Sequence, residues 1–273
     1  MSFSPLGLLN ALVPKDQRSR RIAAGIAYGP HPRQRLDLYA PRRTDSAPPV
    51  LVFVHGGGWD SGDRGDYAFA GRAFAALGFL TLVPSYRIVP DDLFPHFVED
   101  AAKAAAWGAV QAAGHGADGS RVFLAGHSAG AYNVVTAALD PARFGAPELA
   151  GRIAGVVGLS GPYDFYPFDV PASIRAFAGV AEPLSTQPVN LVTPDAPPMF
   201  LGHGDADPTV APRNTRRLAE KLRDNGVPVV EQYYAGLGHE QLALSLMRPF
   251  RKSWPVLADV AAWLRLSLNQ TAR

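Results

Sequence analysis

The stretch that most constrains this chain is Gly-His-Ser-Ala-Gly at residues 126–130. An apolar run at residues 121–125 leads into it, and an alanine-rich run that can form a helix follows at residues 131–139. This order predicts a strand, a tight turn and a helix, with Ser128 at the tip of the turn in a strained backbone conformation. The two glycines stand where a Cβ would collide with the adjacent strand and helix. The turn exposes the serine oxygen at the start of a helix, where a backbone N–H and the helix dipole face incoming negative charge.

Length and composition indicate one sizeable domain. The chain has 273 residues, of which 47% are hydrophobic, and this suits a single α/β domain over residues 1–273. The net charge is only +2 and there is no long basic run, so we expect no nucleic-acid partner. Because the chain has no cysteine, disulfides, thiolate metal sites and cysteine nucleophiles are all excluded.

Residues 1–21 are predicted to form a peripheral N-terminal arm. The apolar run at residues 6–13 is short, is interrupted by Asn10 and has no basic region before it. We therefore expect a helical turn packed on the domain, and neither a secretory signal nor a membrane span. A cytoplasmic location is the resulting expectation.

Strands alternate with helices from residue 50 onward. This alternation predicts an α/β fold with a mostly parallel central sheet and helices on both faces. The run at residues 50–54 is continuously apolar, as in a central strand that is buried on both faces. Strands are predicted at residues 22–28, 34–39, 50–54, 79–83, 122–125, 153–159, 199–201 and 229–234, and helices at 67–77, 94–113, 131–139, 212–225 and 254–268.

One segment, residues 161–197, interrupts the alternation. It carries many prolines and several aromatic residues, with only a short possible helix at residues 173–179. Because a long irregular connection after a strand end is often functional, we predict a small lid or pocket-wall insertion. Trp59, Tyr163 and Phe165 are candidates for substrate binding, although such aromatics fit an ordinary lid core equally well.

Three successive glycines follow the strand at residues 50–54, within the sequence His-Gly-Gly-Gly-Trp at residues 55–59. Glycines leave backbone N–H groups uncovered, and an oxyanion hole needs donors that approach a tetrahedral intermediate without side-chain obstruction. The N–H of Ala129, directly after Ser128, is a further candidate donor.

An acid and a base are predicted after two later strands. Asp205 and Asp207 follow the strand at residues 199–201, and a carboxylate there could orient a histidine. We favour Asp207 as this acid and Asp205 as the residue that forms the turn. His239 follows the strand at residues 229–234. The chain order Ser, Asp, His is the one used by hydrolases whose serine lies in a Gly-x-Ser-x-Gly turn. Carboxyl ends of parallel strands lie along one edge of a sheet, so these groups are expected to converge there.

With these motifs, the chain resembles the α/β-hydrolase superfamily over residues 36–264, and within it the hormone-sensitive-lipase-like and acetyl-esterase-like carboxylesterases with a His-Gly-Gly-Gly motif. Residues 36–41 and the pair Tyr86-Arg87 are further landmarks of the resemblance. The resemblance implies that Gly57, Gly58 and Ala129 donate to the oxyanion.

The sequence departs from these esterases in two places. Many of them carry Asp before the serine where this chain has His127, and their N-terminal cap is longer. Gly-His-Ser-Ala-Gly with a His-Gly-Gly-x-Trp motif also occurs in arylformamidase-like and acetyl- or feruloyl-esterase-like relatives.

The first functional hypothesis is a serine carboxylesterase that hydrolyses short-chain esters through Ser128, His239 and Asp207. Such chemistry requires no metal and no organic cofactor. The expected partner is a small-molecule ester, and exposed strand edges and the closing helix could support a homodimer.

Two alternatives stay open from the sequence. The same machinery could act on N-formyl aryl amines, as in an arylformamidase. A non-catalytic binding protein of the same fold is the other alternative, although such a protein is expected to have lost part of the machinery.

Overall fold

A single eight-stranded sheet forms the centre of the computed structural model, which describes residues 5–270. In chain order its strands are β1 Ser19–Ala27, β2 Arg35–Pro41, β3 Pro49–Val54, β4 Leu80–Pro84, β5 Asp118–His127, β6 Ile153–Leu159, β7 Met199–Gly204 and β8 Val229–Tyr234. Their order across the sheet is β1-β2-β4-β3-β5-β6-β7-β8. β2 runs antiparallel to β1 and β4, and every pair from β4 to β8 is parallel. The predicted mostly parallel α/β sheet is confirmed.

Helices cover both faces of this sheet. They are α1 Pro5–Leu12, α2 Ala68–Ala76, α3 His96–Gln111, α4 Ala129–Leu139, α5 Pro171–Ala176, α6 Arg213–Asp224, α7 His239–Leu244 and α8 Val256–Gln270. No helix within residues 5–270 is both long enough and apolar enough to cross a membrane.

The continuous apolar run of β3 is explained by burial on two sides. Val50 and Val52 belong to the core cluster that includes α3, α4 and α6. Leu51 and Phe53 belong to the cluster on the other face, which includes α2, α7 and α8. Since successive side chains of a strand point to opposite faces, a strand covered on both faces has no polar position.

The ends of the chain differ in detail from the prediction. β1 begins at Ser19, which pairs with Pro41, so the last residues of the predicted 1–21 arm belong to the sheet. Residues 1–4 of that arm lie outside the described residues. The helix in the irregular segment begins at Pro171 instead of residue 173, and proline is well suited to the first turn of a helix. The six-residue α7 was not predicted, because it is too short to show a helical period.

A buried ion pair ties the end of β4 to α3. The Arg87 Nη2 and Nε atoms lie 2.7 and 3.0 Å from Asp100 Oδ1, and the Arg87 backbone N–H donates to Asp100 Oδ2 at 2.8 Å. Gln34, beside β2, also donates to Asp100 Oδ1. Asp100 is wholly buried, whereas Glu99, 3.2 Å from the same guanidinium, is 38% exposed. Removal of one partner from a buried pair leaves the other charge uncompensated.

Asp100→Ala should therefore lower the free energy of unfolding by about 3–5 kcal/mol. Urea denaturation of the purified variant measures this. Glu99→Ala is the matched control, because it removes a carboxylate from the same arginine and the same helix at an exposed position, where the loss should stay below about 1 kcal/mol. Equal losses in the two variants would contradict the assignment of Asp100 as the structural partner.

Candidate active site

Ser128 lies at the tip of the turn between β5 and α4. Its backbone angles, φ 56° and ψ −126°, are ones that residues other than glycine rarely adopt. A Cβ on Gly130 would lie 2.2 Å from the carbonyl oxygen of Val54 and 2.4 Å from that of His55. A Cβ on Gly126 would lie 2.4 Å from the Gly130 oxygen. Gly130 is therefore needed because the turn packs directly against the end of β3, and Gly126 because the start of α4 lies against it.

Three of the predicted site residues form one hydrogen-bonded chain. Ser128 Oγ lies 2.8 Å from His239 Nε2, and His239 Nδ1 lies 2.7 Å from Asp207 Oδ2. An imidazole that donates from Nδ1 to a carboxylate keeps Nε2 free to accept the serine proton. Ser128, Asp207 and His239 follow β5, β7 and β8, so the parallel sheet itself brings them to one edge.

Of the two candidate aspartates, the structure brings Asp207 to the imidazole. Asp207 Oδ1 accepts from the backbone N–H groups of Thr209 and Val210, both at 2.9 Å. Asp205 is exposed and accepts from the Gly236 N–H at 2.7 Å, so it ties the β7 turn to the turn after β8. Each aspartate bonds the backbone of a loop, but only Asp207 also reaches His239.

Hydrogen bonds set the charge state of Asp207. Burial by itself would raise the pKa of its carboxyl. Donors from His203, His239 and the Val210 N–H outweigh burial and hold that pKa well below its usual range. The carboxylate is therefore ionised at neutral pH and can stabilise a protonated imidazole beside it.

The glycine loop after β3 lies beside the serine. Gly57 and Gly58 have φ values of 129° and 58°, and a Cβ on Gly57 would lie 2.3 Å from the Ser61 carbonyl oxygen. No carbonyl or side chain of residues 5–270 accepts from the Gly57 or Gly58 N–H. Ala129 opens α4, where a helix leaves its first N–H groups without intrahelical partners. Gly58 and Ala129 line one cavity together with Ser128.

Trp59 fixes this loop to α4, the helix that follows the turn at residues 126–130, which we call the elbow. Its indole Nε1 donates to Asn133 Oδ1 on α4 at 3.0 Å, and both residues are buried. Trp59 also has a positive φ of 61°, so the side-chain contact holds a strained backbone in place. Asn133 was not among the residues predicted from the sequence. The signal that could have found it is a polar residue in the mostly apolar run of α4, which also contains Thr136.

Ser128 opens onto a cavity of about 220 Å³. Its lining comes from the glycine loop, the elbow, the irregular segment and the turn after β7, namely Gly58, Trp59, Ser128, Ala129, Pro162, Phe165, Asp169, Val170, Ala172, Ser173, Thr209, Val210, Ala211, Arg213 and Asn214. Trp59 and Phe165 line it and stack with their ring centroids 6.0 Å apart. Most of the lining is apolar, while the charged Asp169 and Arg213 are exposed.

Tyr163 differs from its prediction as a pocket residue. It is wholly buried and is not part of the cavity lining. Its ring and hydroxyl fill the space where Gly158 and Gly161 lack side chains. Because these two glycines have no Cβ, they leave room for the Tyr163 ring in the core. The sequence pattern alone does not reveal this space.

Two histidines beside the site are held neutral by burial. Burial, reinforced by the nearby His239, lowers the pKa of His127 to about 3. Burial lowers the pKa of His55 to about 4. His127 Nε2 donates to the backbone oxygen of His239 at 3.0 Å, and His55 Nδ1 donates to the Gly56 oxygen at 2.7 Å. Both imidazoles therefore act as neutral hydrogen-bond donors to the loops that carry the site.

The sequence matches a known family. A family model described as BD-FAE matches residues 36–222. The chain belongs to the BD-FAE family. The matched region of the BD-FAE model includes Ser128 and Asp207 and ends before His239.

Curated relatives of this BD-FAE chain include two named esterases. The protein named probable isoprenylcysteine alpha-carbonyl methylesterase ICMEL1 from Oryza sativa subsp. japonica is 28% identical over 253 residues, which are 83% of this chain and 59% of that protein. Esterase LipC from Mycobacterium tuberculosis is 31% identical over 220 residues, which are 72% of this chain and 54% of LipC. The chain thus spans little more than half the length of these relatives.

Solved structures show the same fold. An inhibited esterase B from Lactobacillus rhamnosis superposes with a TM-score of 0.85 at 19% identity, over 97% of this chain and 93% of that one. An esterase from Pyrobaculum calidifontis superposes with a TM-score of 0.73 at 21% identity, over 94% and 87% of the two chains. The resemblance to α/β-hydrolases of the esterase type is confirmed at the level of fold.

The close packing of the elbow can be tested by adding a single methyl group. Gly130→Ala should lower the free energy of unfolding by about 1–3 kcal/mol, because the new Cβ meets backbone carbonyl oxygens that cannot rotate away. Urea denaturation measures the loss. Gly114→Ala is the control, since a Cβ there has no atom within 4 Å, and its effect should stay within about 0.5 kcal/mol. A tolerated Gly130→Ala would contradict the contact between the elbow and β3.

Proposed function

We propose that this BD-FAE protein is a serine carboxylesterase that hydrolyses short-chain carboxylic esters through an acyl-enzyme. The observation that carries the proposal is the hydrogen-bonded chain from Asp207 through His239 to Ser128, at 2.7 and 2.8 Å, on the wall of a cavity. The names of the relatives, which include methylesterase and esterase, support the same chemistry.

The proposed reaction begins at Ser128. Its Oγ attacks the ester carbonyl carbon while His239 Nε2 takes the hydroxyl proton. Asp207 stabilises the resulting imidazolium through Nδ1. The tetrahedral intermediate collapses, and His239 gives its proton to the leaving alcohol. Water then attacks the acyl-enzyme, His239 takes a proton from that water, and the proton returns to Ser128 Oγ as the carboxylic acid leaves.

The N–H groups of Gly57, Gly58 and Ala129 are the proposed donors to the oxyanion. Support comes from the lack of other acceptors for the two glycine N–H groups within the described residues, and from the place of Ala129 at the start of α4. Donors that are already fixed in place need no reorganisation when charge develops on the carbonyl oxygen. The hydrogen bond from Trp59 to Asn133 holds the glycine loop in place against α4.

A short substrate is favoured by the size of the cavity. About 220 Å³ lies below the usual range for pockets that enclose drug-sized ligands, roughly 300–1,000 Å³. We infer that residues 161–197 act as a lid or pocket wall of this single domain, because Phe165, Val170 and Ala172 line the cavity. Trp59 and Phe165 are the proposed contacts for the apolar part of the ester.

Hydrolysis of p-nitrophenyl esters from acetate to decanoate tests the proposal. Activity should peak at acetate or butyrate, because longer chains exceed the cavity. Ser128→Ala should lower kcat by roughly 10⁴-fold or more, since the nucleophile is lost. Full activity in Ser128→Ala would overturn the mechanism, and a maximum at decanoate would overturn the short pocket. If every ester is inert, N-formyl aryl amines are the next substrates to assay.

A matched pair of aspartate variants tests the assignment of the acid. Asp207→Asn should lower kcat by about 10⁴-fold, because an amide cannot stabilise the imidazolium and favours the wrong tautomer. Asp205→Asn makes the same change two residues away. Within residues 5–270 this side chain hydrogen-bonds only the Gly236 N–H, so the variant should keep kcat within about threefold of wild type. Equal kcat values in the two variants would exclude Asp207 from the proposed role.

A further inference from the structure

A second imidazole contacts the same carboxylate oxygen as His239. His203 is the penultimate residue of β7 and is wholly buried. Its Nε2 lies 3.3 Å from Asp207 Oδ2 and 2.8 Å from the Val210 carbonyl oxygen. His239 Nδ1 lies 2.7 Å from the same carboxylate oxygen. The mechanism proposed above assigns no task to His203.

The surroundings of His203 fix its tautomer. Both groups near Nε2, a carbonyl and an ionised carboxylate, only accept hydrogen bonds, so Nε2 carries a proton. Its other ring nitrogen, Nδ1, lies 2.8 Å from Thr215 Oγ1 on α6. A neutral imidazole that donates from Nε2 accepts at Nδ1, and the Thr215 hydroxyl supplies the proton for that bond. Thr215 and His203 thus form a chain of hydrogen bonds that ends at the Val210 carbonyl oxygen, and the same Nε2 lies 3.3 Å from Asp207 Oδ2.

The bonds to Asp207 leave it no freedom to rotate. Oδ1 accepts from the backbone N–H groups of Thr209 and Val210, and Oδ2 accepts from His239. His203 Nε2, whose hydrogen bond goes to the Val210 carbonyl oxygen, lies 3.3 Å from Oδ2 as a further polar contact. A polarised N–H so close to Oδ2 partly offsets the negative charge of the oxygen that His239 uses.

We propose that His203, supported by Thr215, is a positioning residue that directs Asp207 Oδ2 at His239 and sets how strongly that oxygen holds the imidazolium proton. The proposal rests on the ester hydrolysis proposed above. His203 touches neither substrate nor nucleophile in this role, and acts only through Asp207.

Other ionisable groups face this centre with little effect on it. His127 packs against His239 from β5, with ring centroids 4.9 Å apart, and burial keeps it neutral. Asp205 and Glu240 flank the two loops, and Arg213 stands at the start of α6. These three side chains are exposed, so water and salt screen their charges. Apart from His239, His203 is therefore the ionisable neighbour whose removal changes the environment of Asp207 most.

The test compares His203→Leu and His203→Gln with wild type in the pH dependence of kcat and KM on p-nitrophenyl butyrate. His203→Leu should lower kcat by roughly 10- to 100-fold with KM within about twofold, because it removes both the polar contact to the Asp207 carboxylate and the hydrogen bond that holds the Val210 carbonyl beside it. The acid limb of the kcat/KM profile should move to higher pH by about half a unit to one unit, because the less stabilised carboxylate keeps the imidazolium protonated longer. His203→Gln, whose amide N–H can reach Asp207, should recover most of both losses.

A purely structural role for His203 predicts a different result. His203→Leu and His203→Gln would then have the same pH profile as wild type. If the two variants have equal Tm, His203→Gln would also be no more active than His203→Leu. That result would overturn the proposal. If His203→Leu does not fold, Thr215→Val carries the test, because it removes only the proton donated to Nδ1 and should move the acid limb in the same direction. Thr136→Val is its control, a buried threonine on α4 that bonds the Tyr132 carbonyl oxygen and should leave the profile unchanged.

A second readout separates this proposal from the proposed function. The proton between His239 and Asp207 can be followed by its downfield NMR signal without any substrate. That signal should shift in His203→Leu and return in His203→Gln. If wild type hydrolyses no ester, the proposed function fails while the NMR comparison still decides the role of His203. An unchanged signal in His203→Leu would overturn the positioning role.

Discussion

Close packing of Gly130 on the carbonyl oxygens of Val54 and His55 couples the two halves of the site. The elbow that carries Ser128 cannot move without the end of β3, and the glycine loop leaves β3 at that end. One steric contact therefore sets the distance between the proposed nucleophile and its proposed oxyanion donors. Burial of β3 on both faces, which makes the strand rigid, keeps this distance constant.

Hydrogen bonds and burial determine which side chains around Ser128 are charged. Asp207 is buried, and burial alone would favour its neutral form, but it accepts hydrogen bonds from two backbone N–H groups and from His239, and His203 Nε2 lies 3.3 Å away. His127 and His55 are buried, hydrogen-bond backbone oxygens and stay neutral. The same residue type is thus the proposed base at one position and a neutral hydrogen-bond donor to a loop at others, according to its neighbours.

The fold and the positions of the main site residues could be read from local pattern. Strand-to-helix alternation predicted the parallel sheet, and glycine spacing predicted the sharp turn at Ser128. The choice of Asp207 over Asp205 rested on position in the turn, and the structure brings the same residue to His239. Such features depend on a few neighbours in sequence, and this is why they are visible without coordinates.

Features that depend on tertiary packing were not visible. Tyr163 lies in the core because Gly158 and Gly161 leave room for its ring, although its aromatic neighbours had suggested a pocket. The partners of Trp59 and His203, namely Asn133 and Thr215, lie on helices 74 and 12 residues further along the chain. A lone polar residue on a helix does not reveal its partner until the helices are packed.

Covalent labelling tests most directly whether Ser128 is the activated nucleophile that we propose. The protein would be incubated with a p-nitrophenyl alkylphosphonate, followed by intact mass spectrometry and peptide mapping. We expect one phosphonyl adduct per chain, on Ser128. The adduct should be absent in Ser128→Ala and should form much more slowly in His239→Ala. A folded, ester-hydrolysing protein that carries no adduct, or carries it on another residue, would contradict the account.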